Sequence, residues 1–320
     1  MILCCGEALI DMVPLPEGGT GFLPCPGGSP YNTAIAVGRL GAPVSFLGRL
    51  SKDFFGELLI ERLRKNKVET DLIIRSGEHS TLAFVNLSAG KEPQYVFYTE
   101  GAADRSFSAE DAPEKLPDEI SCILFGSIAM TMEPVATAIE SLIFREHKRG
   151  EEAPVISVDP NIRSFMIQDA SRYVKRFESW LRASTIVKIS SADLEYIYPG
   201  LTVEDALQRI LSFGPRLVAA TLGAEGATAL LRRDTGAILR ASAPAAKVAV
   251  ADTIGAGDTF HGGLLSWLEL KGKMSRSDIA ALAPEELQEA LLFANKAASL
   301  VCTRRGAEPP SFAEVEAFNG

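Results

Sequence analysis

Polar and apolar positions follow two alternating patterns along the chain, short apolar runs and longer segments with apolar residues three or four positions apart. The short runs, which are typical of buried strands, are 2–5, 44–48, 122–126, 155–159, 186–190 and 217–221. The longer segments, which are typical of helices, include 133–148, 172–183, 259–270 and 285–302. The last four short runs begin 31 to 33 residues apart, about the length of one strand–helix–strand unit. The pattern therefore predicts an α/β fold with a central, mostly parallel sheet and helices on both of its faces.

Two insertions interrupt this alternation and predict a second, smaller sheet. Residues 12–27 are rich in Pro and Gly, and residues 69–99 contain short apolar stretches separated by turn-forming residues. We expect both to form an antiparallel sheet over the edge of the main sheet, within a single domain that spans residues 1–320. Such a sheet serves as a lid over a site, as a homodimer surface, since its edges would otherwise be exposed, or as an ordinary side sheet with neither role.

The composition narrows the classes of partner. There are 41 acidic and 32 basic residues, a net charge of −9, and no basic stripe, which disfavours nucleic-acid binding. No apolar run approaches the roughly 20 residues of a membrane span, and Glu7 and Asp11 lie where a signal peptide would be basic or apolar. The five cysteines form no Cys-x-x-Cys pair and indicate reduced thiols. We therefore expect a cytoplasmic protein without nucleic-acid or membrane partners.

The segment DTIGAGDTF, residues 252–260, carries the clearest chemical signal. It follows a strand-like stretch at 247–250 and opens a helix. Gly255 and Gly257 allow a tight turn, so that free N–H groups of the first helical turn can face an anion. Asp258 would lie beside that anion. It either takes a proton from an attacking hydroxyl group or stabilises the start of the helix, and the spacing alone leaves both roles open.

A second motif, GGSPYNTAIAVGRLG at residues 27–41, also opens a helix. Ser29 suits the N-cap and Pro30 the first helical position. Capping does not account for Gly28 or Asn32. A glycine pair lets a small polar ligand approach the backbone, and the Asn32 amide offers that ligand a donor and an acceptor. The chain contains neither GxxxxGK[ST] nor a GxGxxG after its first strand, so the P-loop is excluded and a Rossmann dinucleotide site is disfavoured.

The two motifs, in this order and in a chain of this length, resemble those of the PfkB (ribokinase-like) family of carbohydrate kinases. The resemblance covers essentially the whole chain. Within the family the chain is most similar to bacterial fructokinases, through GEALIDM at 6–12, FYTEGAADR at 97–105, DPNIR at 159–163 and TLGAEGA at 221–227. The resemblance implies a ribokinase-like α/β fold and an ATP-dependent kinase.

The resemblance also implies roles for the residues around the reacting atoms. Asp258 matches the catalytic base. The anion hole that holds the transferring phosphoryl group matches Gly255, Ala256 and Gly257. Asp11, Gly28 and Asn32 match family residues that contact the sugar hydroxyl groups. Arg163 matches a basic family residue near the sugar and the phosphate.

Further roles follow from the resemblance for ATP and for metal ions. The turn beside the nucleotide phosphates and ribose matches Thr221, Gly223 and Gly226, and the adenine side matches Asn295. Where the family often carries an Asn-x-x-Glu motif for Mg²⁺, this chain has Ser190 and Asp193, so Asp193 is the candidate for a metal-bound water. Asp252 and Ile254, with residues 301–306, match a monovalent-cation loop and imply K⁺. Pro310, where some relatives have serine, weakens that implication.

Together these features predict an ATP-dependent sugar kinase that acts on a primary hydroxyl group, most simply converting fructose to fructose 6-phosphate. One alternative is a kinase for ribose or for a sugar acid such as 2-keto-3-deoxygluconate. A sugar acid would need a cation under the lid, which Thr99 and Glu100 do not supply. Another alternative is a non-catalytic sugar or nucleotide sensor, although a sensor would not need a base such as Asp258.

Overall fold

A large, mainly parallel sheet forms the centre of the computed structural model, which describes residues 1–15, 21–86 and 94–318. Residues 16–20 and 87–93 of the two predicted insertions lie outside the described residues. The strands are β1 (Ile2–Cys5), β2 (Leu9–Pro14), β3 (Phe22–Gly27), β4 (Val44–Ser51), β5 (Val68–Glu69), β6 (Ile73–Ser76), β7 (Leu82–Asn86), β8 (Gln94–Tyr98), β9 (Cys122–Gly126), β10 (Val155–Asp159), β11 (Ile186–Ser190), β12 (Leu217–Thr221), β13 (Ala227–Arg232) and β14 (Ile238–Ala243). The helices are α1 (Ser29–Arg39), α2 (Phe54–Lys65), α3 (Val135–His147), α4 (Ala170–Ala183), α5 (Ser191–Ile197), α6 (Val203–Ser212), α7 (Ala256–Leu270), α8 (Arg276–Ala280), α9 (Pro284–Val301) and α10 (Phe312–Ala317).

The main sheet has the strand order β14-β13-β12-β11-β10-β9-β1-β4-β5, and β6 also pairs with β4. The pairs from β12 to β5 are parallel, whereas β13 and β14 are added antiparallel. The carboxyl ends of the parallel strands therefore meet at one edge of the sheet, which is the edge where α/β folds bind their ligands.

Alternate residues of the strands supply two separate cores. In β1, Ile2 and Cys4 join the core that contains residues of α1, α2, α7 and α9, whereas Leu3 and Cys5 join the core that contains residues of α3 to α6. Because both faces are buried, each central strand is a continuous apolar run. The predicted α/β architecture with helices on both faces is confirmed.

A separate small sheet has the strand order β3-β2-β7-β8. The pairs β2–β3 and β7–β8 are antiparallel, and β2–β7 is parallel. This confirms a small sheet built from both insertions, but the sheet is mixed and not antiparallel as predicted, and the predicted range 69–99 is too wide. Residues 73–76 instead pair with β4, because Ile73 packs against one core of the main sheet and Ile74 against the other.

The segment before α7 also differs from the prediction. The chain leaves the main sheet at Ala243, the last residue of β14, and residues 247–250 form no strand. Val250 is 63% exposed, so this apolar stretch has no core face that would favour pairing. Among the described helices, none combines the length and the apolar character needed to cross a membrane.

Candidate active site

The start of α7 is a left-handed turn that favours glycine. Gly255, which precedes the helix, has φ +76°, a conformation that side chains disfavour. A Cβ atom at Gly255 would also lie 2.7 Å from Cβ of Ala307. The N–H groups of a first helical turn lack partners within the helix, although that of Ala256 donates to the carbonyl of Thr253 at 3.2 Å. The anion site at residues 255–257 therefore stays a prediction, in which the N–H group of Ala256 already has a partner.

Asp258, in the first turn of α7, is held by two side chains of α1. Ser29 Oγ donates to Asp258 Oδ1 at 2.6 Å, and Asn32 Nδ2 donates to Asp258 Oδ2 at 3.0 Å. Burial raises the pKa of Asp258, while the hydrogen bonds from Ser29 and Asn32 lower it. The carboxyl group therefore has a fixed orientation and a pKa above its usual value.

The predicted N-cap role of Ser29 is wrong. The N-cap is Gly28, with φ +108° and no side-chain hydrogen bond, and Ser29 is the first residue of α1. Its hydroxyl group is directed at Asp258 across the α1–α7 contact instead. The predicted helix start thus contains a site residue that capping rules assigned to local structure.

Glu7 is a buried carboxyl group that the sequence did not single out. Its two oxygens accept the backbone N–H groups of Ser29 at 3.0 Å and Ala129 at 3.2 Å. Burial raises the pKa of Glu7 to about 7, against the opposing effect of these hydrogen bonds. Gly28 fits beside Glu7 only without a side chain, since a Cβ there would lie 2.7 Å from the Glu7 carbonyl oxygen. Glu7 therefore fixes the start of α1, and with it Ser29.

A cavity of about 300 Å³ opens in front of Asp258. It brings together predicted residues from distant parts of the sequence. These are Asp11, Gly28, Asn32, Arg163, Ile254, Gly255, Gly257 and Asp258. The small sheet also lines it, through Val13, Val85, Tyr95 and Phe97, none of which the sequence analysis identified. A cavity of this size is at the lower end of the range for small-molecule sites.

One acidic and one basic side chain, Asp11 and Arg163, line this cavity. Burial raises the pKa of Asp11 to about 6, while the charge of Arg163 lowers it and that of Asp258 raises it. Arg163 Nη1 donates to Asn161 Oδ1 at 2.8 Å and to the carbonyls of Asn161 and Ile162 at 3.2 Å. These hydrogen bonds hold the guanidinium group of Arg163, which lines the same cavity as Asp11.

One buried acceptor remains open at the site. Asn32 is 8% exposed, and its Oδ1 atom is buried without a hydrogen-bond partner among the described residues. A buried polar atom without a partner is costly, so Asn32 Oδ1 marks a position where a bound molecule could donate a hydrogen bond.

The predicted nucleotide residues do not line this cavity. Three of them lie at the carboxyl end of β12 and in the turn that follows it, and the fourth lies on α9. Thr221 ends β12, and the turn that follows contains Gly223 with φ +59° and Gly226 with φ +99°. A Cβ at Gly226 would collide with the carbonyl of Ala243. Asn295 is buried and its Nδ2 donates to that same carbonyl at 2.8 Å, so the segment after β14 connects the turn with α9.

The predicted metal residues are already engaged in hydrogen bonds. Asp193 Oδ1 accepts from the N–H of Ile162 at 2.9 Å, and Oδ2 accepts from Ser190 Oγ at 2.6 Å. Asp252 Oδ2 accepts from the N–H of Gly306 at 2.9 Å and Oδ1 from that of Ile254 at 3.0 Å, which joins the two loops of the predicted monovalent-cation site. Within residues 1–15, 21–86 and 94–318, no group of three His, Cys, Asp or Glu side chains is arranged to hold a metal ion.

The central sheet has a buried core on each face, and a buried carboxyl group lies beside the glycine turn that opens α7. These features are typical of phosphoryl-transfer enzymes of the ribokinase type. The family model for pfkB family carbohydrate kinases matches residues 1–313. The chain belongs to this family and is an ATP-dependent carbohydrate kinase.

Its relatives agree in length and in fold. The chain is 39% identical over 292 residues to a fructokinase of Rhizobium leguminosarum bv. trifolii, covering 90% of this chain and 86% of the relative. It is 34% identical to fructokinase-1 of Zea mays, covering 98% and 96%. A fructokinase with bound ATP from Xylella fastidiosa matches with a TM-score of 0.86 at 30% identity, covering 99% and 97%. A fructokinase from Vibrio cholerae O395, bound to fructose, ADP and calcium ion, matches with a TM-score of 0.85 at 26% identity, covering 100% and 98%.

Proposed function

We propose that this chain phosphorylates fructose at the primary hydroxyl group on C6 to give fructose 6-phosphate, with Asp258 as general base. The observation that carries the proposal is the setting of Asp258. Its carboxyl group faces a small polar cavity, is oriented by Ser29 and Asn32, and adjoins the glycine turn that opens α7. The names of the relatives, and the fructose bound to the Vibrio cholerae fructokinase, support fructose as the substrate.

In the proposed reaction Asp258 takes the proton of the sugar hydroxyl group as its oxygen bonds to the γ-phosphorus of ATP. The bond from that phosphorus to the bridging oxygen breaks, and ADP leaves. Backbone N–H groups next to Gly257 and the dipole of α7 stabilise the negative charge on the transferring group. Asn32 Oδ1, Asp11 and Arg163 hold the sugar so that one hydroxyl group is within reach of Asp258.

The small sheet closes one side of the site in this proposal. Its residues Val13, Val85 and Phe97 give the cavity an apolar wall, which limits the access of water as a competing phosphoryl acceptor. Its other face exposes Phe22, Val96 and Tyr98, with Phe84 between Phe22 and Tyr98 at ring distances of 5.1 and 5.6 Å. An apolar face of this kind favours a homodimer through the small sheet, which light scattering on the full chain would test.

Metal ions enter the proposal as partners of ATP. Mg²⁺ usually keeps several waters and binds substrate phosphates through few protein ligands. This fits a site where the predicted acidic ligand, Asp193, already accepts hydrogen bonds from Ser190 and Ile162. Such an ion would neutralise phosphate charge. A K⁺ ion would fit between residues 252–254 and 301–306, which Asp252 joins.

Measuring ADP release with a panel of sugars tests the proposal. Fructose, ribose and 2-keto-3-deoxygluconate should be compared at equal concentration, with ATP and Mg²⁺ in excess. We expect kcat/KM to be highest for fructose. Turnover confined to the sugar acid would assign Arg163 to its carboxylate and displace fructose, and sugar binding without any turnover would favour the sensor.

A further inference from the structure

A buried ion pair lies behind the first turn of α7. Lys188 Nζ, on β11, donates to Asp159 Oδ2, at the end of β10, over 2.8 Å, and the two side chains are 4% and 5% exposed. Removing two charges from water costs about as much as their attraction returns, and apolar replacements are often neutral or stabilising. Stability alone therefore gives a weak reason for this pair.

The ammonium group of Lys188 rests against the backbone of Gly257. A Cβ atom built on Gly257 would lie 2.9 Å from Lys188 Nζ. Gly257 lines the cavity in front of Asp258, whereas Lys188 does not. The positive charge is thus separated from the cavity by one layer of backbone, at the turn where the transferring phosphoryl group is proposed to bind.

Three carboxyl groups and one histidine interact with the charge of this ammonium group. Burial lowers the pKa of Lys188, but the charges of Asp159, Asp193 and Asp258 raise it above its usual value, so the amine stays protonated. Burial and Lys188 together hold the pKa of His261 well below its usual value. His261 is therefore neutral, and its Nε2 atom is 2.7 Å from Ser157 Oγ. Lys188 is the cation that these carboxyl groups face.

We propose that Lys188 is a positioning residue for phosphoryl transfer. Its ammonium group, held by Asp159 against Gly257, keeps the floor of the phosphate site positive and Asp258 in its carboxylate form. This inference rests on the proposed roles of Asp258 and the turn 255–257.

The two members of the pair act on Asp258 in opposite directions. Asp159 raises the pKa of Asp258, and Lys188 lowers it. In a buried site each charge acts over several ångströms with little screening. The charge of Lys188 also adds to the helix dipole where negative charge moves onto the phosphoryl oxygens, which is the largest source of rate enhancement in many enzymes.

The pH profile of kcat/KM separates this role from a structural one. Lys188→Met should move the acidic limb to higher pH, and Asp159→Asn should move it to lower pH. A purely structural pair would give losses of stability in both variants, with the limb unmoved or moved in the same direction. Glu146→Gln is the matched control, because Glu146 is a buried carboxyl group on α3 that pairs with Arg145 and Arg149.

The double variant Lys188→Met with Asp159→Asn keeps the proposal testable if either single variant fails to fold. It removes both members of the ion pair, so that neither is left buried without the other, and we expect a folded protein with kcat reduced about 10- to 100-fold and KM for the sugar changed less than about threefold. This loss is smaller than the roughly 10²–10³-fold loss on removal of a direct oxyanion donor. The proposal would be overturned if the folded double variant had the kcat of the wild type. It would also be overturned if the acidic limbs of kcat/KM in the two single variants did not move in opposite directions.

The wild-type measurement separates this inference from the proposed function. The variants are assayed on whichever sugar the wild-type chain phosphorylates. If the wild type phosphorylates another sugar but not fructose, the proposed substrate is wrong, and the role of Lys188 is tested by the same assay with that other sugar. A wild type without phosphoryl transfer to any sugar would remove the basis of both.

Discussion

The hydroxyl group of Ser29 donates a 2.6 Å hydrogen bond to the carboxyl group of Asp258, 229 residues later in the chain. Glu7 fixes the backbone of Ser29 through a 3.0 Å hydrogen bond. The start of α1 is therefore bonded through its backbone to Glu7, two residues after the end of β1, and through the Ser29 side chain to the first turn of α7. The orientation of the proposed base depends on this connection as much as on its own helix.

Removal of the Ser29 hydroxyl group should leave Asp258 less well oriented and raise its pKa. A hydrogen bond to a charged group contributes about 1.5–3 kcal/mol, so Ser29→Ala should lower kcat by about 10-fold or more and move the acidic limb of kcat/KM to higher pH. The matched control is Thr33→Val, which removes a buried hydroxyl group of α1 that bonds to the carbonyl of Ser29 instead of to Asp258. An equal loss of activity in both variants would show that helix packing, and not this hydrogen bond, is responsible.

The left-handed turn at Gly255 should be intolerant of a side chain. Gly255→Ala forces alanine into φ +76° and brings its Cβ to 2.7 Å from Ala307. The conformation alone costs about 1–2 kcal/mol, and overpacking typically adds about 1–3 kcal/mol. Gly236→Ala is the control, because Gly236 has φ +84° but nothing within 4 Å of its would-be Cβ. In urea unfolding we expect Gly255→Ala to be the less stable variant, and equal stabilities would exclude a steric requirement.

The buried Glu7 should make stability depend on pH. Its pKa rises from 4.5 to about 7 in the folded protein, so the folded state binds the proton more tightly than the unfolded chain. The contribution is fully favourable below pH 4.5 and is lost as the pH rises towards about 7. Glu7→Gln removes this dependence.

Urea unfolding at pH 5 and at pH 8 measures the effect. Relative to wild type, Glu7→Gln should gain stability between these two values, by up to about 3 kcal/mol at 1.36 kcal/mol for each pKa unit. A constant difference between the two proteins would mean that Glu7 titrates normally in the folded state.

The sequence predicts the central strands well because each is a run of apolar residues buried on both faces. The runs at 122–126, 155–159, 186–190 and 217–221 coincide with β9 to β12. The same criterion fails at 247–250, where an apolar stretch is exposed and unpaired. Composition cannot distinguish these cases, because burial depends on which other segments are adjacent in space.

The candidate site shows a similar division. Ser29 and Asn32 are three residues apart, so both lie on one face of α1, and the sequence could have grouped them on that basis. Capping preference assigned Ser29 to the helix start because Ser commonly has that role. Glu7 and the Lys188–Asp159 pair give no such local signal, since their importance arises from contacts between separate strands and helices.

The most direct test of the account is the turnover of Asp258→Asn. The variant keeps the shape of the side chain and can still bond to Ser29 and Asn32, so we expect it to fold and to bind ATP and fructose with near wild-type affinity. Loss of a general base typically lowers turnover by about 10²–10⁴-fold, and the account predicts a decrease of kcat in that range. A folded Asp258→Asn variant with kcat close to that of the wild type would contradict the central claim that Asp258 takes the proton.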